Sequence, residues 1–118
     1  MDRDAMTITK LPSPPCYSKG IALCVIRDRF LLLTGGYYQS LDRSKKVLLF
    51  DTHTEQWVSE PSMPEMITAR SYHSNCATDY AAFVYGGESN SATNSSCLEF
   101  MALDDHVYDY WSGSYRPA

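Results

Sequence analysis

The pair Gly35-Gly36 closes an apolar run, FLLLT at residues 30–34, and the same arrangement returns as Gly86-Gly87 after AAFVY at residues 81–85, 51 residues further on. Adjacent glycines at the end of a strand-length apolar run mark a turn through backbone conformations that other residues enter only with strain. After each pair come a polar loop, a second apolar run (VLLFD at 47–51, LEF at 98–100) and a tryptophan, the two tryptophans, Trp57 and Trp111, lying 54 residues apart. A supersecondary pattern written twice restricts the chain to folds in which one small unit repeats and each copy packs on its neighbour.

Taken in order, residues 1–18 form an irregular connector in which Pro12, Pro14 and Pro15 fix φ and remove donors. GIALCVI at 20–26 predicts a first strand, Arg27-Asp28-Arg29 a turn, 30–34 a second strand, 37–46 a polar loop, 47–51 a third strand and 56–59 an outer fourth. The first two runs lack polar alternation, so they need cover on both faces. The connector at 60–69 resembles the first, with Met63-Pro64 lying 23 residues before Gly86 and Leu11-Pro12 lying 24 before Gly35. Ser62 and Glu65 have capping-box spacing, so a short helix over 62–70 competes with a turn-rich loop. A helix that short is marginal without packing, which favours the loop. The second unit predicts strands at 71–78, 81–85 and 96–103, with turn-forming residues at 88–94 between the last two. Its end departs from the template, because eleven residues separate Phe100 from Trp111 where seven separate Phe50 from Trp57.

Nine tyrosines, four phenylalanines and two tryptophans in 118 residues lean toward strands, so an all-β fold of one domain or less is expected. A net charge of -4 leaves no basic stripe for phosphate neutralisation, which argues against a nucleic-acid partner. The opening MDRDAMTITK has no apolar signal core, and the longest purely apolar run, 21–26, is too short to span a bilayer. A cytoplasmic protein with no membrane partner is the expectation. Cys16, Cys24, Cys76 and Cys97 show no paired spacing and read as reduced thiols, with Cys24 and Cys76 as small buried hydrophobes inside strands.

A strand ending in Gly-Gly, a strand followed by tryptophan, and a proline connector with an arginine before the next strand together resemble the kelch repeat. The first unit carries LLLTGG at 31–36, VLLFDTHTEQW at 47–57 and PSMP at 61–64, with Arg70 opening the second unit. The second carries YGG at 85–87 and Trp111, and Lys19 stands in the first unit where Arg70 stands in the second. The resemblance covers residues 19–111. It implies two four-stranded antiparallel kelch-type blades of an incomplete β-propeller. These are a first blade at 19–60 and a second at 61–114, between the connector at 1–18 and a tail at 115–118. Gly35, Gly36, Trp57, Arg70, Gly86, Gly87 and Trp111 are its structural residues.

What the resemblance implies for function is a non-enzymatic protein-protein interaction module with no cofactor, for example part of a ubiquitin-ligase substrate adaptor or a cytoskeleton-associated propeller. Propellers have about four to eight blades, so two units leave one sheet face uncovered at each side. A fragment of a longer propeller is the favoured explanation, with ring closure by self-association, or completion by further blades, as the others. A partial product without an autonomous role, and a fragment of a propeller enzyme resembling galactose oxidase, are the rival readings. By position in the repeat, the partner-binding residues are Tyr37 and Gln39, Glu88 and Asn90, and Ser71 and Tyr72, against the plainer reading of solvated loop polars. Arg43, Lys45 and Lys46 read as a solvated face.

No catalytic or metal-binding residues are assigned. His53, His73 and His106 share no ligand spacing, and His73 with Cys76 reads as a strand-surface pair. Asp104, Asp105 and Asp109 read as solubilising, and the sequon at Asn94 matters only in a secreted chain. Gly35→Val and Trp57→Ala are each expected to destabilise by several kcal/mol, the first through backbone shape and the second through a cavity, and urea midpoints of the two variants check this.

Overall fold

The computed structural model describes residues 6–14, 19–37, 42–58, 63–90 and 98–102. Four strands, β1 (Ala22–Ile26), β2 (Phe30–Thr34), β3 (Val47–Asp51) and β4 (Gln56–Trp57), pair antiparallel in chain order to make the first sheet. The second unit contributes β5 (Arg70–Ser71), β6 (Ser74–Ala77), β7 (Ala81–Tyr85), β8 (Glu88–Ser89) and β9 (Leu98–Ala102). Of these β6, β7 and β9 form a three-stranded antiparallel sheet in that order, and β5 pairs with β8. No helix occurs among the described residues, so the connector is a loop from Met63 onward and the short-helix alternative falls away there.

The repeat is visible in the register. Leu32 lies between Cys24 and Leu49 in the first sheet, and Phe83 lies between Cys76 and Phe100 in the second. The β2 and β3 partners recur 51 residues later, whereas the β1 partner recurs after 52, because the β6–β7 turn is one residue shorter. A type of turn that normally takes Asn-Gly is built here from Arg27 and Asp28, at φ 50° and 54°, closed by Arg29 N–H donating to the Ile26 carbonyl at 3.1 Å.

Strand alternation gives each sheet two faces. One face of the first sheet, with Ile26, Phe30, Leu32 and Leu49 buried and Cys24 and Val47 beside them, packs on the face of the second sheet that carries Ala77, Ala82 and Met101. Asn75 Nδ2 donates to Thr34 Oγ1 at 3.0 Å across the same boundary. A cavity of about 360 Å³ opens between the sheets, bounded by Leu32, Val47, Met66, Val84 and Met101. Of the three polar side chains in its wall, Thr34 and Glu99 already hold partners and Glu65 is exposed to solvent, so it reads as a packing feature.

The glycine turns meet on one stretch of chain. Gly35 (φ 67°) and Gly87 (φ 82°) lie on either side of residues 70–73, and a Cβ at Gly35 would fall against the Arg70 carbonyl and 2.5 Å from His73 Cε1. A Cβ at Gly87 would sit 2.5 Å from the Ser71 carbonyl oxygen and 2.7 Å from His73 Cβ. Arg70 is fully buried at the centre of this grip. Its carbonyl accepts from Gly36 N–H at 2.8 Å, its Nη1 donates to the Gly86 carbonyl at 3.2 Å, and its Nη2 donates to Glu99 Oε2 at 2.5 Å. Glu99 also accepts from the amides of Ile67 (2.5 Å) and Thr68 (3.0 Å), so one ion pair joins both glycine turns, the connector and β9.

Several expectations change. The first strand of the second unit does not run unbroken over 71–78, because Tyr72 at φ 54° divides β5 from β6. Glu88 and Ser89, expected in a loop, form β8. The fourth strand of the first sheet is shorter than 56–59, since β4 ends at Trp57 and residue 59 lies outside the described residues. Cys76 is exposed rather than buried. His73 is buried rather than on a strand surface. Trp57 packs on Phe50 with ring centroids 5.0 Å apart and donates its indole N–H to the Pro12 carbonyl at 3.1 Å, but it is only half-buried, so its truncation removes less than a core tryptophan would. Trp111, His106, Cys16, Cys97 and the aspartates at 104, 105 and 109 lie outside the described residues.

Asp51 has no counterpart 51 residues on, and its contacts explain the exchange. Asp51 takes a two-point contact from Arg29 (Nε to Oδ1 2.9 Å, Nη2 to Oδ2 2.7 Å) and caps the β3–β4 turn through His53 N–H at 2.9 Å. The positions 51 residues on are Ala102 and Tyr80, so both partners are replaced together. Arg27 instead stacks over Tyr80, 5.0 Å from its centroid, and donates to the Asp79 carbonyl at 2.9 Å, tying the hairpin tips of the two sheets.

Removing one member of a buried ion pair leaves the other desolvated and unpaired. Arg70→Ala or Glu99→Ala alone is therefore expected to cost about 3–5 kcal/mol, while the double replacement Arg70→Leu with Glu99→Leu costs clearly less than the sum. A double-mutant cycle on urea midpoints measures this, and additive losses would contradict the described pairing.

Candidate functional site

The end of the molecule where the glycine pairs turn gathers residues from three loops. Tyr37 follows Gly36 directly, and its N–H donates to the Lys19 carbonyl at 3.0 Å. It forms an isolated bridge with Arg43, which anchors the root of the β2–β3 loop. Tyr72 is held at the same level by its N–H donating to the Gly20 carbonyl at 2.8 Å, with its ring over Gly20, where a Cβ would lie 3.2 Å from the aromatic carbons. The two tyrosine rings meet edge to face at 6.4 Å.

Arg43 stands at the centre. Its guanidinium lies 5.1 Å from the Tyr37 centroid, Nη2 donates to Glu88 Oε2 at 2.8 Å, and Nε donates to Ser71 Oγ at 3.2 Å. Its backbone N–H donates to Asn90 Oδ1 at 3.0 Å. Lys19 Nζ lies 5.4 Å from the same Tyr37 ring, so that ring carries two cations. Of the six residues assigned to this rim from repeat position, five come together around Arg43. Gln39 lies outside the described residues.

The assignment changes in two places. Ser71 is fully buried and positions Arg43 from below, so it is no contact residue for a partner. Arg43 is not part of a solvated face, because its side chain is about three-quarters covered and links loops from both units. No local signal in the sequence distinguishes it from Lys45 or Lys46. Only the bridge to Tyr37 and the acceptors from 47 residues away select it. Tyr72 remains exposed, with Asn90 exposed and Glu88 half-exposed, so the surface offered is one aromatic face beside an amide and a shared ion pair.

Beneath the rim, His73 Nε2 and Thr34 Oγ1 share a hydrogen bond of 2.7 Å, and His73 Nδ1 has no partner among the described residues. Burial first, and the neighbouring Arg70 charge second, push the imidazole down to about 4, against the smaller opposing effect of the Thr34 contact. Burial pushes the Glu99 carboxyl up, but the Ile67 and Thr68 amides and Arg70 outweigh it, so Glu99 titrates below the usual carboxylate range. Asp51 is likewise held low, chiefly by its hydrogen bonds from Arg29. No group of three or more His, Cys, Asp or Glu side chains able to hold a metal occurs among the described residues, and among them no helix is long and apolar enough to cross a membrane. Compared with known proteins, no family model and no curated protein matches the chain.

A histidine kept neutral by folding binds its proton less readily in the folded than in the unfolded state, so stability falls as pH drops below 6.5 toward about 4. The depressed carboxylates act in the same direction at lower pH. Urea midpoints are expected to decline from pH 7 to pH 4, and in His73→Gln the part of the decline above the carboxylate range is expected to flatten. An unchanged slope in that variant would show that His73 is not the group responsible.

Proposed function

We propose that the chain is a non-enzymatic protein-binding module of kelch-type blades, acting in the cytoplasm as part of a larger propeller, and that the rim around Arg43 is its contact surface. The observation that carries this reading is convergence. Tyr37, Tyr72, Glu88 and Asn90, assigned from repeat position alone, lie in different loops of both units and are linked through Arg43, whose guanidinium meets Tyr37 and Glu88 and whose backbone N–H meets Asn90, while Tyr72 packs on Tyr37. Solvated loop polars without a shared role have no reason to be cross-linked in this way. Rigid aromatics flanked by adaptable polar groups are also what protein contact surfaces favour, because a tyrosine supplies large contact area with few rotors to immobilise.

The prediction is tested by placing a photo-activated phenylalanine analogue at position 72 and, separately, at position 80, an exposed tyrosine on the hairpin tips at the other end of the sheets. Discrete protein adducts in cells are expected from position 72 and not from position 80, and Arg43→Ala is expected to weaken the adduct from position 72 at least several-fold. Equal labelling from both positions, or adducts indifferent to Arg43, would overturn the assignment of this rim.

A further inference from the structure

The register of the two sheets shows which face is missing its cover. In the first sheet the row Cys24, Leu32, Leu49 belongs to the face that the second sheet covers. The matching row in the second sheet is Cys76, Phe83, Phe100, and beside it lies the row Ser74, Tyr85, Leu98. That face is open, with Leu98 64% and Phe100 70% exposed, and Phe83 and Phe100 stack on each other at 6.2 Å without a third layer. The opposite kind of face, the one that does the covering, carries Asn75, Val84 and Glu99 in the second sheet and Leu23, Leu33 and Leu48 at the matching positions of the first. There the open part is the β1 edge, with Leu23 56% and Val25 53% exposed, while Leu33 and Phe50 further in on the same face are buried. The chain therefore shows one sheet-on-sheet contact made and leaves open the outer face of the second sheet and the β1 edge of the first sheet's other face.

The two open surfaces correspond to each other at the positions that are polar in the contact already made. In the contact that is made, polar groups appear on both sides: Thr34 on the covered face, bonded to Asn75 on the covering face, with Glu99 beside it. At the matching positions of the open surfaces stand Tyr85 on one side and Leu23 and Leu48 on the other, so these three polar positions become aromatic or aliphatic together, while Ser74 adds a hydroxyl at the strand end where the first sheet has Ala22. Two surfaces that lose complementary polar groups in step read as partners, since an unmatched polar group facing an apolar sheet would cost desolvation on every encounter.

We infer that the Phe83, Tyr85, Leu98, Phe100 face docks the Leu23, Val25 face of a second copy of this chain, head to tail, repeating between copies the sheet stacking seen within one. This contact joins unlike surfaces, so it propagates to a closed ring or a chain of copies rather than stopping at a two-fold dimer. It is independent of the rim around Arg43, whose side chains lie at the ends of the strands and not on these faces.

The test is the solution mass of the full chain by sedimentation or light scattering over a concentration series, with Phe100→Lys and Val25→Lys as variants. Both residues are exposed, so near-native circular dichroism is expected, and Leu98→Lys with Leu23→Lys replaces the pair if either variant fails to fold. The expected result is a wild-type mass that rises with concentration, each variant monomeric alone, and an equimolar mixture of the two forming a 1:1 dimer that grows no further, because each retains one intact half. A wild type that is monomeric throughout, a variant that still dimerises by itself, or a mixture that stays monomeric would each overturn the inference.

Discussion

The structure hangs on an ion pair taken wholly out of water. Arg70 has no exposed surface, and its charge is tolerable there because Glu99 receives it and because the carboxylate also satisfies two backbone amides of the connector. A pair of this kind is a weak source of net stability, since desolvation offsets most of the attraction. What it supplies is position: it fixes where the connector ends, where the second sheet begins, and how the two glycine turns approach one another. The left-handed turns at Gly35 and Gly87 follow from it, because the stretch they enclose leaves no room for a Cβ on either side.

From that node the two units diverge in an ordered way. The second keeps the strand register of the first while exchanging pairs of residues together: Arg29 and Asp51 become Tyr80 and Ala102, and Leu48 becomes Glu99 where Lys19 becomes Arg70. Each exchange removes or installs both members of an interaction. This is what an interface between unlike neighbours demands, because a half-exchanged pair would leave a buried charge unmatched. The covered and open faces of the two sheets differ for the same reason.

The rim is a by-product of the same geometry. Turning the chain sharply at the glycine pairs places Tyr37 and Glu88 immediately beyond them, and the division of β5 from β6 at Tyr72 turns that ring outward beside them. Arg43 then binds the assembly from the β2–β3 loop, with its charge shared between Glu88 and the Tyr37 ring. Rigid elements thus hold a small aromatic and polar surface at the strand ends while the sheet faces remain free to stack. The interaction proposed for the rim and the stacking inferred for the faces do not call on the same side chains.

Strand identity was legible in the sequence, because apolar runs of five residues bounded by Gly-Gly and Arg-Asp-Arg have few other ways to satisfy their backbone; β2, β3 and β7 lie where the pattern puts them. The repeat spacing also picked out which loop residues would share an end of the sheets. It did not reveal that β8 forms from turn-like residues, since Glu88 and Ser89 become a strand only by pairing with Ser71 and Arg70 of β5. Nor did it show that His73 and Ser71 are buried, that Arg43 rather than Lys45 or Lys46 organises the rim, or that Glu99 is the partner of Arg70. Local pattern records what a backbone segment prefers on its own, whereas burial and charge pairing depend on which distant segment arrives opposite, and that is decided only when the sheets pack.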